Sequence, residues 1–417
     1  MRIKFKLLII IIIFCAACAV ASASDTRQIL KGMTLNEKVG QLFIIRPDQL
    51  DTSLSLEHIH DSKKPGSKSL TPLMRKTLME YPAGGFAIFG KNISGPAQLK
   101  SFIDELKNAC KISPIMAVDE EGGRIARIAN HNKFNVTKFK SMEAIGNTGN
   151  AKNAYRAAQV IGGYLKEYGF TLNFAPVADI NTNPENIIIG DRAFGTRPEL
   201  VSKMAGAYLD GLHAQDIAGC LKHFPGHGDT KDDTHSGYAA VYKTWDELLK
   251  CELIPFIDNL DKADCIMTAH VTLESISGKS SATAHHNLTH QNLISQPTRE
   301  RVSASQSQPA VATLRPATLT REIITGKLRD ELGYKGVIIT DALIMKAICD
   351  HYSSEEAAVL ALKAGNDILL MPYDYVSSFN AVLNAVQSGE ISERRIDESV
   401  LRILDLKDKY KINYELD

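Results

Sequence analysis

The sequence predicts an α/β fold, specifically a single (β/α)8 barrel of the TIM type. Three observations predict it. Eight short apolar or β-branched runs recur along the chain, longer stretches of helical period separate them, and ionisable residues gather where the runs end. Continuous apolar strands alternating with amphipathic helices imply a parallel sheet covered by helices. Eight such strands favour closure into a barrel.

In chain order the runs are QLFII (41–45), GGFAIFG (84–90), PIMAVD (114–119), TLNFAPVAD (171–179), AGCLKHF (218–224), DCIMTAHV (264–271), GVIITD (336–341) and DILLMP (367–372). Helix candidates between them include AQLKSFIDELKNA (97–109), NAYRAAQVIGGYLKEYG (153–169) and ELVSKMAGAYLDGLHAQ (199–215). REIITGKLRDELG (321–333) and SEEAAVLALKAG (354–365) follow the same period. The competing architecture is a doubly wound open sheet, which places a Gly-rich phosphate loop after its first strand. No such loop is present, and PGHG at 225–228 is too weak a glycine pattern to stand in for one. In a barrel the C-terminal strand ends share one face, where active sites are built. Asp119, Asp179, Lys222, His223, His270 and Asp341 are therefore expected to converge.

The N-terminus, MRIKFKLLIIIIIFCAACAVASASD, places Arg2, Lys4 and Lys6 before an apolar run from Leu7 to Ala21. That order of features, with Ala21-Ser22-Ala23 as a small-residue cleavage site, predicts a signal peptide over residues 1–24. An uncleaved anchor and a lipidated Cys18 are the alternatives, and membrane contact is expected only through that cysteine. The barrel is expected over 25–417, leaving no room for a second domain, and the protein is expected to be exported to the periplasm or cell surface. Lys+Arg and Asp+Glu number 48 each. Removing the three leader cations leaves 45 against 48, a balance of −3. No basic field advertises nucleic acid, and aromatic residues at 7% offer no stacking platform. Cys110, Cys220, Cys251, Cys265 and Cys349 lack metal spacing and are expected as buried free thiols.

One segment breaks the alternation. Residues 277–314 are rich in Ser, Thr, Gln, Asn and His, without apolar period. They exceed the ~15 residues that ordinary loops reach, and read equally as a lid or as a disordered insertion. His285, His286 and His290 within it are expected to be solvated.

KHFPGHGDTKDDTH (222–235) concentrates three histidines and three aspartates besides its lysines. His223 and His227 are four apart, the spacing of two ligands on one helical face. Pro225 and Gly226 between them break a helix, so the spacing loses its metal-site meaning. The segment also lacks the ligand pattern of a calcium loop. Without a metal, Lys222 at the tail of a buried strand demands a partner or a ligand. Asp233, two residues from His235, can orient the imidazole and raise its proton affinity, which suits a general acid. A solvated surface loop accounts for Asp229, Lys231 and Asp232.

Four blocks, VDEEGGRIARI (118–128), GDRAFGTRPELV (190–201), KHFPGHGDTKDDTH (222–235) and GVIITDALIMKAI (336–348), make the chain resemble glycoside hydrolase family 3, in its β-N-acetylglucosaminidase branch. The likeness runs over roughly 28–410. It implies a retaining, exo-acting, cofactor-free β-N-acetylglucosaminidase with no metal, acting through a covalent glycosyl–aspartate. The resemblance makes Asp341 the nucleophile and His235, oriented by Asp233, the general acid/base. Substrate contacts carry over to Asp119, Arg127, Arg192, Lys222 and His223. Arg124 is a weaker candidate for substrate contact, with pairing to Glu120 or Glu121 as the alternative. The implied partner is a carbohydrate, an N-acetylglucosamine-containing glycan or peptidoglycan fragment, with chitin-derived oligosaccharides as a second substrate. A metal-dependent barrel hydrolase and a non-catalytic sugar-binding envelope protein are the rival readings.

Overall fold

The computed structural model of the protein describes residues 26–232, 239–273 and 315–412. The expected leader, the insertion at 277–314, and Asp233 with His235 lie outside the described residues. Eight parallel strands form one sheet: β1 (Phe43–Ile45), β2 (Gly85–Ile88), β3 (Ile115–Val118), β4 (Leu172–Asn173), β5 (Ala218–Phe224), β6 (Cys265–Thr268), β7 (Val337–Thr340) and β8 (Leu369–Leu370). Each falls inside one of the eight apolar runs. Neighbours in sequence pair in register, as in Gly85↔Ile115 and Cys265↔Val337, and β1 pairs with β8. A bridge between Ile339 and Ile368 joins β7 to β8 and closes the barrel. Closure removes the open-sheet alternative.

Every residue of these strands is buried, which is why they read as continuous rather than alternating apolar runs. Helices α1 (Pro72–Glu80), α2 (Pro96–Asn108), α3 (Ala151–Glu167) and α4 (Pro198–His213) follow the first four strands. Three of them begin with proline at the first helical position, where its fixed φ suits the turn and its missing N–H costs nothing. The short α5 (Ile254–Ile257) follows β5, and α6 (Glu322–Glu331), wound as a π-helix, follows β6. Helices α7 (Ser354–Ala364), α8 (Tyr375–Gln387) and α9 (Glu393–Lys409) complete the ring. Ser353 caps α7 in a full capping box with Glu356.

The described cysteines are free thiols, as expected. Their burial is not uniform: Cys220 and Cys265 are buried, whereas Cys110, Cys251 and Cys349 are half-buried. The two buried ones sit on strands, paired across β5 and β6, and the others sit at element ends.

Candidate active site

Strand β3 delivers Asp119 to the C-terminal mouth of the barrel, and the two glutamates after it part company. The chain turns back in a short hairpin, Glu120–Gly122 against Ile125–Ala126, through Gly123 at φ +61°. Glu120 points inward. Its carboxylate accepts the N–H groups of Arg127 (2.6 Å), Ile128 (2.9 Å) and Ala129 (2.9 Å) and the Tyr164 hydroxyl (2.8 Å). Burial pushes Glu120 up despite those donors, which pull the other way. It shapes the loop, and so sets Arg127 against Asp119 at 3.3 Å and its guanidinium 5.1 Å from the Phe89 ring centre.

Glu121 is buried among cations. Lys222 Nζ reaches it at 2.6 Å and Asp119 at 2.9 Å. Arg192 grips Glu121 in a fork, with Nε at 2.9 Å and Nη2 at 2.7 Å. The result is a charge chain, Arg127–Asp119–Lys222–Glu121–Arg192. Burial alone would neutralise these carboxylates, but the cations outweigh it and hold Asp119 and Glu121 below the usual carboxylate range. Burial likewise opposes the Lys222 charge, and Asp119 with Glu121 lifts it above the ordinary lysine value. One lysine, 2% exposed, thus stays charged because it sits between two carboxylates.

Lys222 and His223 are adjacent on β5, and strand alternation would send them to opposite faces. The pairing of β5 with β6 shifts there: Met267 faces Lys222, but Thr268 faces Phe224, so His223 is an extra residue. Such a bulge re-aims side chains, and both residues join the same cluster. His223 Nε2 lies 3.4 Å from Arg192 Nη2, while its Nδ1 donates to Asp179 Oδ2 at 2.6 Å. Asp179 Oδ1 also accepts the backbone N–H of His223 (3.1 Å) and His227 (2.7 Å). Buried Asp179 is held down to about 2, the neighbouring His223 outweighing the effect of burial. It fixes the His223 ring so that Nε2 faces the mouth.

Asp341 follows β7 on the same face. Its N–H bonds the Thr268 carbonyl at 2.9 Å, and its Oδ1 accepts the Ala342 N–H at 2.7 Å. Its second oxygen accepts no hydrogen bond among the described residues. His270 braces the turn, with Nε2 3.1 Å from the Ala342 carbonyl and Nδ1 3.0 Å from the Thr318 hydroxyl. A carbonyl only accepts, so Nε2 carries the proton, while the one Thr318 hydroxyl hydrogen also faces the carbonyls of Thr268 (3.1 Å) and Ala269 (2.8 Å). Burial lowers His270, which favours the neutral form, although Asp341 pulls it up.

The segment after β5 is pinned at its root. Gly226 adopts φ +121°, and a Cβ on Gly228 would stand 1.8 Å from the Ile180 carbonyl oxygen. Only glycine fits there. Asn186 Nδ2 donates to the His227 carbonyl (2.7 Å) and Asn183 Nδ2 to that of Thr230 (3.0 Å). Lys231–Asp232 then pairs antiparallel with Ala239–Ala240, and Ala239–Val241 pairs with Val271–Leu273 after β6. The residues expected to carry acid/base chemistry, Asp233 and His235, fall between the two legs of that hairpin.

Five of the expected residues, Asp119, Arg127, Arg192, Lys222 and His223, form one contact network, and Asp341 stands on the same barrel face. His223 and His227 occupy a strand and a turn rather than one helical face, their ring centres 5.9 Å apart. Arg124 differs from expectation. It pairs with neither Glu120 nor Glu121 but with Asp191 (3.0 Å) and the carbonyls of Ile187, Ile188 and Ile189. Both glutamates are already saturated inside the loop, and Arg124 sits on its outer side. Asp179 was expected at the mouth without a role, and Glu121 was not expected there, because its role depends on Arg192 arriving from 71 positions away.

The barrel agrees with comparison to known proteins. Residues 34–406 match the glycosyl hydrolase family 3 N-terminal domain. The chain belongs to glycoside hydrolase family 3. It is 32% identical over 374 residues to beta-hexosaminidase A of Pseudoalteromonas piscicida, covering 84% of this chain and 58% of that protein. It is 30% identical over 298 residues to beta-hexosaminidase LpqI of Mycobacterium tuberculosis, covering 70% of this chain and 67% of that protein. Among solved structures, a family 3 β-N-acetylglucosaminidase from Paenibacillus sp. str. FPU-7 superposes with a TM-score of 0.75 at 33% identity, over 93% of this chain and 64% of that one. The chain thus spans less than two thirds of two of these relatives.

Proposed function

We propose that the protein is a retaining, exo-acting β-N-acetylglucosaminidase. It removes non-reducing terminal N-acetylglucosamine from peptidoglycan fragments or related oligosaccharides. The observation that carries the reading is the convergence on one barrel mouth of a buried charge network with Asp341, a carboxylate whose second oxygen has no described donor. Relatives called beta-hexosaminidase and β-N-acetylglucosaminidase support it.

In this reading a terminal sugar lies across Asp119, Arg127, Lys222, His223 and Arg192. Carboxylate and cations there offer paired acceptors and donors for hydroxyls and for the acetamido carbonyl. Asp341 attacks the anomeric carbon with its free oxygen while the Ala342 N–H holds the other. His235, oriented by Asp233, protonates the departing oxygen, then takes a proton from the water that releases the sugar from Asp341. Anomeric configuration is retained by the two inversions. The leader-like residues 1–24 support export to the periplasm or cell surface, which places the enzyme with cell-wall fragments.

The test compares 4-nitrophenyl β-N-acetylglucosaminide with the plain β-glucoside, using wild type, Asp341→Ala and His235→Ala. Wild type should prefer the N-acetyl sugar, and Asp341→Ala should be nearly inactive. Full activity of Asp341→Ala removes the mechanism, and preference for the glucoside removes the substrate assignment.

A further inference from the structure

The reaction leaves His270 without a duty, yet the ring is buried two residues past β6, on the barrel face that carries Asp341. Its Nε2 donates to the Ala342 carbonyl at 3.1 Å, and its Nδ1 lies 3.0 Å from the wholly buried Thr318 hydroxyl. Thr318 is set in turn by Asn366, whose Nδ2 donates to the Thr318 carbonyl at 2.9 Å. Both nitrogens of the imidazole thus face fixed partners. Burial lowers the ring from its ordinary value, so it is neutral at neutral pH although Asp341 pulls the other way.

The Ala342 contact matters because of the peptides around it. The peptide between Asp341 and Ala342 supplies the N–H that holds Asp341 Oδ1 at 2.7 Å. Its own carbonyl, that of Asp341, accepts no hydrogen bond among the described residues. This peptide is therefore aimed by the units on either side of it. On one side the Asp341 N–H bonds the Thr268 carbonyl at 2.9 Å. On the other, the Leu343 N–H bonds the Leu370 carbonyl at 2.9 Å, and the Ala342 carbonyl takes both the Met345 N–H at 3.0 Å and His270 Nε2. Four anchors hold the turn, and only the one from His270 is a side chain. The backbone anchors survive a substitution at 270, so its loss should loosen the aim of the turn without unravelling it.

We propose that His270 is a positioning residue for the nucleophile: by holding the Ala342 carbonyl it keeps the Ala342 N–H on one oxygen of Asp341 and leaves the other facing the anomeric carbon. This rests on the reading of Asp341 as the nucleophile. A carboxylate that swings loses attack geometry, which lowers rate rather than affinity. His270 makes no hydrogen bond to Asp119, Arg127, Arg192 or Lys222, so the sugar should bind as before.

The experiment compares full-chain wild type with His270→Gln, His270→Asn and His270→Leu, and with Asp341→Ala in parallel. A glutamine amide reaches the place of Nε2 and can donate to Ala342, whereas an asparagine amide reaches only the place of Nδ1, beside Thr318. The first-step rate is read as kcat/KM on 4-nitrophenyl β-N-acetylglucosaminide and on N,N′-diacetylchitobiose. Competitive inhibition by N-acetylglucosamine reads sugar binding alone. His270→Asn and His270→Leu should lose about 10- to 100-fold in kcat/KM, alike on both substrates, with the inhibition constant within about 3-fold of wild type. His270→Gln should stay within about 5-fold of wild type, a rescue that mere filling of the space does not give. Should His270→Leu not fold, the two amides, which differ by one methylene, carry the comparison. Equal rates in the Gln and Asn variants, or a loss carried by the inhibition constant, overturn the proposal. An Asp341→Ala variant that keeps its activity overturns instead the nucleophile reading beneath it.

Discussion

The two ends of the barrel bury carboxylates by the same means and to different ends. At the N-terminal end, Asp264 opens β6 and accepts from His213 (2.8 Å), Lys409 (2.6 Å), Tyr410 (2.7 Å) and the Gly219 N–H (2.9 Å). Asp367 precedes β8 and takes Arg329, Arg402, Ser399 and the Ile338 N–H. Every oxygen there is filled by groups on other elements, so these aspartates clamp α4, α6 and α9 to the strands. At the C-terminal end the charges are as well paired, but among the described residues Arg127 Nε is buried without a hydrogen-bond partner and one Asp341 oxygen has no donor. In the two clamps every carboxylate oxygen is used, whereas at the mouth the open oxygen belongs to the residue proposed as nucleophile.

The sharpest way to break the comparison is to change one aspartate at each end. Asp341→Asn should cut kcat/KM by on the order of 10⁴-fold or more with little change in melting temperature, measured by steady-state kinetics and calorimetry. Asp367→Ala should do the reverse. It strands Arg329, Arg395 and Arg402 around a void and should cost about 3–5 kcal/mol of stability, while the folded fraction turns over normally. If Asp367→Ala loses activity without losing stability, the division of labour between the two ends is wrong.

Acid should then expose both ends together. Asp119, Glu121, Asp179, Asp264 and Asp367 are all held below their ordinary values; burial works against each, and the neighbouring cations and donors outweigh it. A depressed carboxylate adds stability that is complete above its unfolded value and is lost as pH falls toward the folded one. Melting temperature should therefore be level between about pH 5 and pH 7 and fall steeply between about pH 4 and pH 2. A level profile down to pH 3 would contradict the pairing.

Lys407 on α9 is the exception at the N-terminal end. It is fully buried, bonds Gln41 Oε1 at 2.6 Å, and has no carboxylate against it among the described residues. Burial brings it down to about 7. The unfolded chain holds that proton to higher pH, so stability should rise as pH climbs from about 7 to 10. Lys407→Met should flatten this rise and, at neutral pH, raise the melting temperature by about 2–4 °C. An unchanged profile would show that Lys407 keeps an ordinary lysine proton affinity in the folded chain.

Much of this was legible before any coordinates. All eight strands lie inside the predicted runs because a parallel barrel buries both faces of each strand, so the apolar signal is continuous. Asp119, Lys222, His223 and Asp341 were legible because ionisable residues at the tails of such runs are costly without a purpose. The pairing of Arg124 was not, because it depends on which side of a hairpin an arginine leaves. Nor was the split between Glu120 and Glu121, since adjacent carboxylates take opposite duties only once Gly123 has turned the chain. The pairing of Lys243 with Asp229 and Glu252 was equally hidden, because charges at 229, 243 and 252 read as solvated until the wall of the barrel is in place behind them.

The account turns on Asp341 as the carboxylate left open for chemistry. The most direct test is to turn the enzyme over slowly on 5-fluoro-N-acetylglucosaminyl fluoride, then read intact mass and peptide fragments. The account predicts one fluorosugar on the protein, mapped to Asp341, and none on Asp341→Asn. A label on Asp119 or Asp179, or steady turnover with no trapped sugar on any residue, would contradict it.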